Sequence, residues 1–120
     1  MKHIESQIQK ACVNWFRTVP KYKKIQNLLF AVPNGGKRNA FEAKIMKAEG
    51  VTAGVSDLIL LMSNGFYHSL CIEIKTPIGT QTPKQIDFET AVVSHGHKYI
   101  VIRSVTQFIV VVENYLNGLI

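Results

Sequence analysis

The chain has 120 residues, of which 47% are hydrophobic and 18% are charged, a composition that is typical of one globular domain and excludes a disordered segment. Its 14 Lys and Arg residues outnumber its 8 Asp and Glu residues, and the resulting net charge of +6 favours an anionic partner, most commonly nucleic acid. The longest apolar runs, at residues 28–32, 58–62 and 108–112, are far too short to span a bilayer.

Cysteine use and the amino terminus indicate a cytoplasmic protein. Cys12 and Cys71 are far apart, and each lies in an apolar stretch, so we expect reduced core thiols and neither a disulfide nor a zinc site. Residues 1–6 lack the apolar segment of a signal peptide. We therefore expect a soluble protein of the cytoplasm, with residues 1–120 forming a single domain.

Helical and strand patterns alternate along the chain. Apolar residues recur at helical spacing over residues 3–17, 38–49 and 106–116, although β-branched residues in the last of these segments would favour a strand. Thr82-Pro83 begins a further helix with an N-cap hydroxyl and a proline at the first helical position. The predicted strands cover residues 27–33, 57–62, 67–75 and 98–103. The order α-β-α-β-β-α-β-α indicates an α/β fold with a mixed central sheet flanked by helices.

Charged residues lie at the ends of two of these apolar strands. Asp57 opens one strand and Glu73-Ile74-Lys75 closes the next. Charges in core strands are costly unless they are paired, and a divalent cation such as Mg²⁺ is a natural partner for carboxylates. With a lysine beside them to position a water, the acids are suited to hydrolysis of a phosphodiester.

The turn between the two strands decides whether Asp57 and Glu73 share a face, because a one-residue shift reverses every side chain. A two-residue turn at Asn64-Gly65 would place the acids on opposite faces. A three-residue turn at Ser63-Asn64-Gly65 pairs Asp57 with Cys71, and the two acids become diagonal neighbours about 7 Å apart. We predict the three-residue turn, or a bulge with the same parity.

Each charged residue also has a purely structural interpretation. Asp57 could simply begin its strand, and Glu73 and Lys75 could form a salt bridge on one face. Their joint occurrence in two apolar strands joined by a hairpin favours the site.

With these residues the chain resembles the PD-(D/E)XK nuclease superfamily, and more closely its virus-type replication-repair nuclease (VRR-NUC) branch, over nearly its whole length. The motifs that carry the resemblance occur in this order: Glu5, Pro33-Asn34-Gly35-Gly36-Lys37-Arg38, Gly54-Val55-Ser56-Asp57-Leu58, Glu73-Ile74-Lys75 and Gln85. The sequence departs from the family pattern at Ser56, where proline is usual. This position influences the backbone conformation and does not supply a ligand.

The resemblance implies a restriction-endonuclease-like core and DNA cleavage that depends on Mg²⁺ or Mn²⁺. It implies that Asp57 and Glu73 are metal ligands, with the Ile74 carbonyl as a candidate third ligand. It further implies that Lys75 orients the attacking water and stabilises charge on the phosphate. Small members of this family, often encoded by phages, resemble Holliday-junction resolvases that act as homodimers, and the apolar segment 108–120 could contribute to a dimer or to the core.

Two further residues have competing interpretations. Glu5 falls within the apolar arc of its helix, so we expect it at the core edge, although acids are also favoured in a first turn by the helix dipole. The resemblance favours a metal-ligand or neighbouring role for Glu5. Gln85 has the spacing of a capping box with Thr82, whereas the resemblance favours contact with water or phosphate beside Lys75.

Binding to DNA should depend on phosphate contacts, which carry no sequence information. The candidate residues in the glycine-rich loop and the following helix are Asn34, Lys37, Arg38, Lys44 and Lys47. The basic residues Lys21, Lys23 and Lys24 are further candidates. Two alternatives stay open at this point: a non-catalytic DNA-binding module that keeps the nuclease fold, and a structural α/β protein whose acids form salt bridges.

Overall fold

The computed structural model describes residues 3–33 and 39–120 of the chain. Its helices are α1 (Ile4–Thr18), α2 (Ala40–Ala48), α3 (Pro83–Ser94) and α4 (Val105–Leu116), and its strands are β1 (Leu29–Ala31), β2 (Leu58–Leu60), β3 (Leu70–Ile74) and β4 (Lys98–Ile102). A 3₁₀ helix, Pro20–Leu28, precedes β1 where the sequence suggested only a basic connector. The predicted order of elements is otherwise confirmed. Within these ranges, no helix combines the length and apolar character needed to cross a membrane.

The sheet is mixed, in the order β1-β2-β3-β4, with antiparallel pairing on both sides of β2 and parallel pairing between β3 and β4. One face packs on α1 and α4, where Phe16, Phe108 and Tyr115 are fully buried. The segment 108–120 therefore contributes to the core through α4. This was one of its two sequence-based interpretations, the other being a role in a dimer. Helix α3 packs beside β4, at the end of the sheet opposite to β1.

The predicted pairing of Asp57 with Cys71 is wrong, because Leu58 pairs with Ile72 and Ile59 pairs with Cys71. This register places Asp57 directly opposite Glu73. It keeps the predicted parity, so both acids lie on the same face of the sheet.

A longer connection at residues 61–69 replaces the predicted three-residue turn, and the side chain of Asn64 explains it. Its Oδ1 accepts hydrogen bonds from the backbone N–H groups of Phe66 and Tyr67, at 3.0 and 2.8 Å. Its Nδ2 donates to the carbonyl of Ile120 across 2.6 Å. These bonds take the backbone out of the β ladder and tie the connection to the end of the chain.

Candidate active site

Asp57 is fixed by backbone contacts to the strands on both sides. It directly precedes β2, and its carbonyl accepts a hydrogen bond from the N–H of Val32 across 3.0 Å. Its Oδ2 accepts a second bond from the N–H of Ile74, on β3, across 2.7 Å. The carboxylate is thereby held against the strand that carries Glu73.

Glu73 is a buried carboxyl group with only part of its hydrogen-bonding capacity used. Its side chain is 1% exposed, and its Oε2 accepts a hydrogen bond from Gln85 Nε2 across 3.0 Å. Its Oε1 is buried and has no hydrogen-bond partner among the residues that the structure describes. Such an atom is costly to bury unless a ligand satisfies it.

The environment of Glu73 disfavours its negative charge. Burial, followed by the charge of Asp57 and hydrogen bonding between the two carboxyl groups, raises the pKa of Glu73 to about 8, and the positive charge of Lys75 only partly opposes this. The charge of Glu5 adds a smaller effect in the same direction. The site is therefore deficient in positive charge.

Lys75 follows Glu73 by two residues and lies on the same face of the sheet. Lys75 is buried, with 7% of its surface exposed. Its backbone N–H donates to the carbonyl of Ile102 across 2.9 Å. The turn after it is held by Arg103, whose Nη1 donates to the carbonyls of Thr76 and Gly79, each across 2.7 Å. The backbone that presents the lysine is thus anchored on both sides.

Gln85 forms the capping box that was one of its two sequence-based interpretations, and its side chain also contacts the buried acid. Its N–H donates to Thr82 Oγ1 across 3.2 Å and its Oε1 accepts from the N–H of Thr82 across 2.9 Å, which completes a capping box. The Nε2 end of the same amide bonds to Glu73. The start of α3 is thereby coupled to the buried acid.

Gly54 lets the loop before Asp57 approach the start of α3. It has a φ of +89°, and a Cβ at this position would lie 2.4 Å from the carbonyl oxygen of Lys84. Only glycine, which has no Cβ, avoids both the cost of a positive φ and this clash. Ser56, the departure from the family pattern, is fully buried, and its hydroxyl donates to the carbonyl of Leu58 across 3.3 Å.

Glu5 lies in the same cleft but apart from the two paired acids. It is exposed and lines the cleft that also contains Asp57 and Glu73, so its expected place at the core edge is wrong. The reason is that the buried positions of α1, Cys12 and Phe16, lie farther along the helix. Among residues 3–33 and 39–120, no group of three or more His, Cys, Asp or Glu side chains is arranged to hold a metal ion.

The donor set nevertheless fits a magnesium-type ion. Such an ion usually keeps several water ligands and takes only one or two carboxylates from the protein. Asp57 and Glu73 supply that pair, and the free Oε1 of Glu73 is an oxygen atom of the required kind. The raised pKa of Glu73 also indicates that a cation would relieve the repulsion between the acids.

The acids open into a wide cleft of about 1380 Å³ between α1, the edge strand β1 and the start of α3. Three basic residues that we did not single out in the sequence line this cleft: Lys10, Arg17 and Lys84. Lys10 and Arg17 are seven residues apart on one helix, so their common face could have been read from the spacing. The volume exceeds the roughly 300–1,000 Å³ of most small-molecule pockets, which favours a polymeric ligand.

The predicted DNA-binding residues that the structure describes do not line this cleft. Lys44 and Lys47 are exposed on α2 and are not part of the cleft lining. Lys21 pairs with Glu113. Asn34, Lys37 and Arg38 lie outside the described residues.

Comparison with known proteins gives a consistent result. The family model described as the VRR-NUC domain matches residues 2–106. A solved structure titled "VRR_NUC domain protein" is similar, with a TM-score of 0.81 and 28% sequence identity, over 94% of this chain and 88% of that chain. No curated protein matches the chain.

Proposed function

The chain belongs to the VRR-NUC family of nuclease-fold, DNA-processing domains, and from this premise we propose that it is a Mg²⁺- or Mn²⁺-dependent endodeoxyribonuclease that cuts branched DNA. Nuclease domains of the PD-(D/E)XK type generally use divalent metals. The observation that carries the proposal is the pairing of Asp57 with the buried Glu73, whose Oε1 has no partner among the described residues.

In this proposal Asp57 and Glu73 hold the cation, with the Ile74 carbonyl as a further ligand and Glu5 as a ligand or neighbouring acid. When bound, the ion would polarise the scissile phosphate and lower the pKa of an attacking water. Two contacts keep the carboxylates in place: the Ile74 N–H on Asp57 and the Gln85 amide on Glu73. Both acids can therefore serve as ligands without rearrangement of the strands.

Lys75 supplies the remaining chemistry. Its ammonium group orients the attacking water in line with the leaving oxygen and offsets the negative charge that develops on the phosphate. Its burial supports this role, because a charge in a water-poor site acts more strongly than one in solvent. In the same proposal, Gln85 also contacts water or the phosphate.

The proposed substrate is branched DNA of the Holliday-junction type, cut by a homodimer. Resolution of a four-way junction needs two symmetric cuts, and a two-fold dimer provides two equivalent sites. The basic residues of the cleft would contact phosphates on each arm, which requires no sequence preference. Lys44 and Lys47 would extend this surface beyond the cleft. Contacts of Asn34, Lys37 and Arg38 with phosphates stay part of the proposal.

A direct assay tests the proposal. Purified protein is incubated with a labelled four-way junction or a linear duplex, in Mg²⁺, Mn²⁺ or EDTA, alongside the Asp57→Asn variant. We expect cleavage of the junction that needs metal and is lost in the variant. Binding without cleavage would indicate a non-catalytic DNA-binding module, and neither binding nor cleavage would indicate a structural protein.

A further inference from the structure

Phe30 is an exposed aromatic residue on the floor of the catalytic cleft, and we propose that it stacks against an unpaired nucleotide of the DNA next to the scissile phosphate. This inference rests on the proposed nuclease function and narrows its substrate to branched DNA in which nucleotides next to the cut site are unpaired. It follows from the register of the sheet, the exposure of Phe30 and the charges that line the same cleft.

The register places Phe30 on the same face of the sheet as the acids. Phe30, on β1, pairs with Ile59, and Asp57 is two residues from Ile59 on the same face. Phe30 and Asp57 are therefore diagonal neighbours, with backbones about 7 Å apart. The bond from the Val32 N–H to the Asp57 carbonyl fixes this spacing.

Phe30 is a large apolar residue that is exposed on the edge strand β1. Phe30 is 40% exposed, whereas Leu29 before it is 2% exposed and belongs to the core. Helix α3 covers the sheet beside β4, and β1 is the opposite edge. The catalytic face is consequently open where Phe30 lies. A single exposed apolar residue needs no explanation by itself, but this one lines the cleft that holds Asp57 and Glu73.

Basic side chains lie on two walls of the cleft that Phe30 also lines. Lys10 and Arg17 lie on α1, about 10.5 Å apart along the helix axis, and Lys84 lies at the start of α3. A groove with basic side chains along the backbone path and an aromatic ring on its floor is the usual arrangement for binding single strands. A paired base keeps both of its faces inside the stack, so only an unpaired base can use Phe30 in this way.

Three variants test the inference by fluorescence anisotropy in EDTA, so that no cleavage is required. Phe30→Leu keeps apolar bulk but loses the ring. Phe66→Leu is the matched control, because Phe66 is 73% exposed and does not line the cleft. Phe30→Trp retains an aromatic ring. The probes are an oligothymidylate and a fully paired duplex of equal phosphate number.

We expect Phe30→Leu to weaken oligothymidylate binding about 5- to 150-fold, the range for loss of one stacked base, and to leave duplex binding unchanged. Phe66→Leu and Phe30→Trp should bind as the unaltered protein does. Oligothymidylate affinity unchanged in Phe30→Leu, or an equal loss for both probes, would overturn the inference.

Two further readouts keep the inference testable. If Phe30→Leu does not fold, the fluorescence of Phe30→Trp, corrected for Trp15, decides: quenching by oligothymidylate supports stacking and its absence refutes it. A protein that binds unpaired DNA through Phe30 but never cuts would overturn the proposed nuclease function alone. A protein that cuts junctions equally well with Phe30→Leu, with unchanged oligothymidylate affinity, would overturn this inference alone.

Discussion

Gln85 donates a hydrogen bond from Nε2 to Oε2 of Glu73 across 3.0 Å, while its Oε1 caps α3 through the N–H of Thr82. One amide thus joins the stability of a helix to the geometry of a buried acid. The two ends of the Gln85 amide have different partners. The backbone N–H of Thr82 needs an acceptor, which is the amide oxygen, and the carboxyl oxygen of Glu73 needs a donor, which is the amide nitrogen. The orientation of the amide follows from this requirement.

Replacement of Gln85 by Ala should therefore impair both stability and cleavage. The loss of the capping bond should cost about 1 kcal/mol of unfolding free energy, and the loss of the Glu73 contact should lower the cleavage rate by at least about tenfold. Thr82→Ala is the control, since it removes the cap but leaves the Nε2 donor. Urea unfolding and single-turnover cleavage measure the two effects. Equal cleavage by both variants would show that the contact with Glu73 has no catalytic importance.

The two central groups of the site give a second prediction. Lys75→Ala and Asp57→Asn should each abolish cleavage and leave DNA binding largely intact, because both groups act on the reacting phosphate and contribute little to the binding surface. Asp87→Asn is the matched control, because Asp87 is exposed on α3 and does not line the cleft. Cleavage of a labelled junction and gel-shift affinity are the measurements. Full activity of Lys75→Ala or Asp57→Asn would refute the assignment.

Several features of the site could be read from sequence because they depend on alternation within single strands. The spacing of Glu73 and Lys75 guarantees a common face, and the apolar run before them guarantees burial. The partner of Asp57 could not be read in this way. It depends on the hydrogen bonds of Asn64, one of which reaches the carbonyl of Ile120, and contacts this distant in sequence leave no local pattern.

Helix α2 shows a different limit of sequence reasoning. The spacing of Phe41 and Ile45 predicted a helix, which is confirmed, but no residue of α2 is buried. An apolar stripe indicates which side of a helix could be covered and does not identify what covers it. The place of Lys10 and Arg17 in the cleft could not be predicted for a related reason, because it depends on where α1 lies relative to β1.

The pKa of Glu73 leads to a pH dependence in protein without metal. Its folded value of about 8 lies above the ordinary value of 4.5, so the fold favours the protonated form. This contribution is fully present below pH 4.5 and is lost as the pH rises toward 8. In EDTA, the melting temperature should therefore fall between pH 5 and pH 8 more steeply than in Glu73→Gln, which cannot titrate there.

Addition of Mg²⁺ should reverse this trend. Binding displaces the proton from Glu73, so the rise in melting temperature on adding Mg²⁺ should be larger at pH 8 than at pH 6. Glu73→Gln should show a much smaller rise at both values. An equal rise at both pH values in the unaltered protein would indicate that Mg²⁺ does not bind at Glu73.

Gly54 and Gly65 form a natural comparison. Both have positive φ values, +89° and +92°, but only Gly54 lies against backbone, since a Cβ added there would be 2.4 Å from the carbonyl oxygen of Lys84. Gly65→Ala should cost about 1–2 kcal/mol of unfolding free energy, the ordinary cost of the left-handed conformation, and retain cleavage. Gly54→Ala should cost more and lose cleavage, because the start of α3 and Gln85 must move. Similar unfolding free energies and similar activity for the two variants would contradict the importance of this contact.

The salt dependence of DNA binding distinguishes the cleft from the rest of the basic surface. Each phosphate contact that is removed should reduce the slope of log affinity against log salt by about 0.7 for a single strand and about 0.9 for a duplex. Lys10→Ala and Arg17→Ala should each show this reduction, since both side chains line the cleft beside the acids. Lys21→Ala should leave the slope unchanged, because Lys21 pairs with Glu113 outside the cleft. A reduced slope for Lys21→Ala, with unchanged slopes for the other two, would place the DNA on the surface around Lys21. Binding would then be separate from the acids that are proposed to cut.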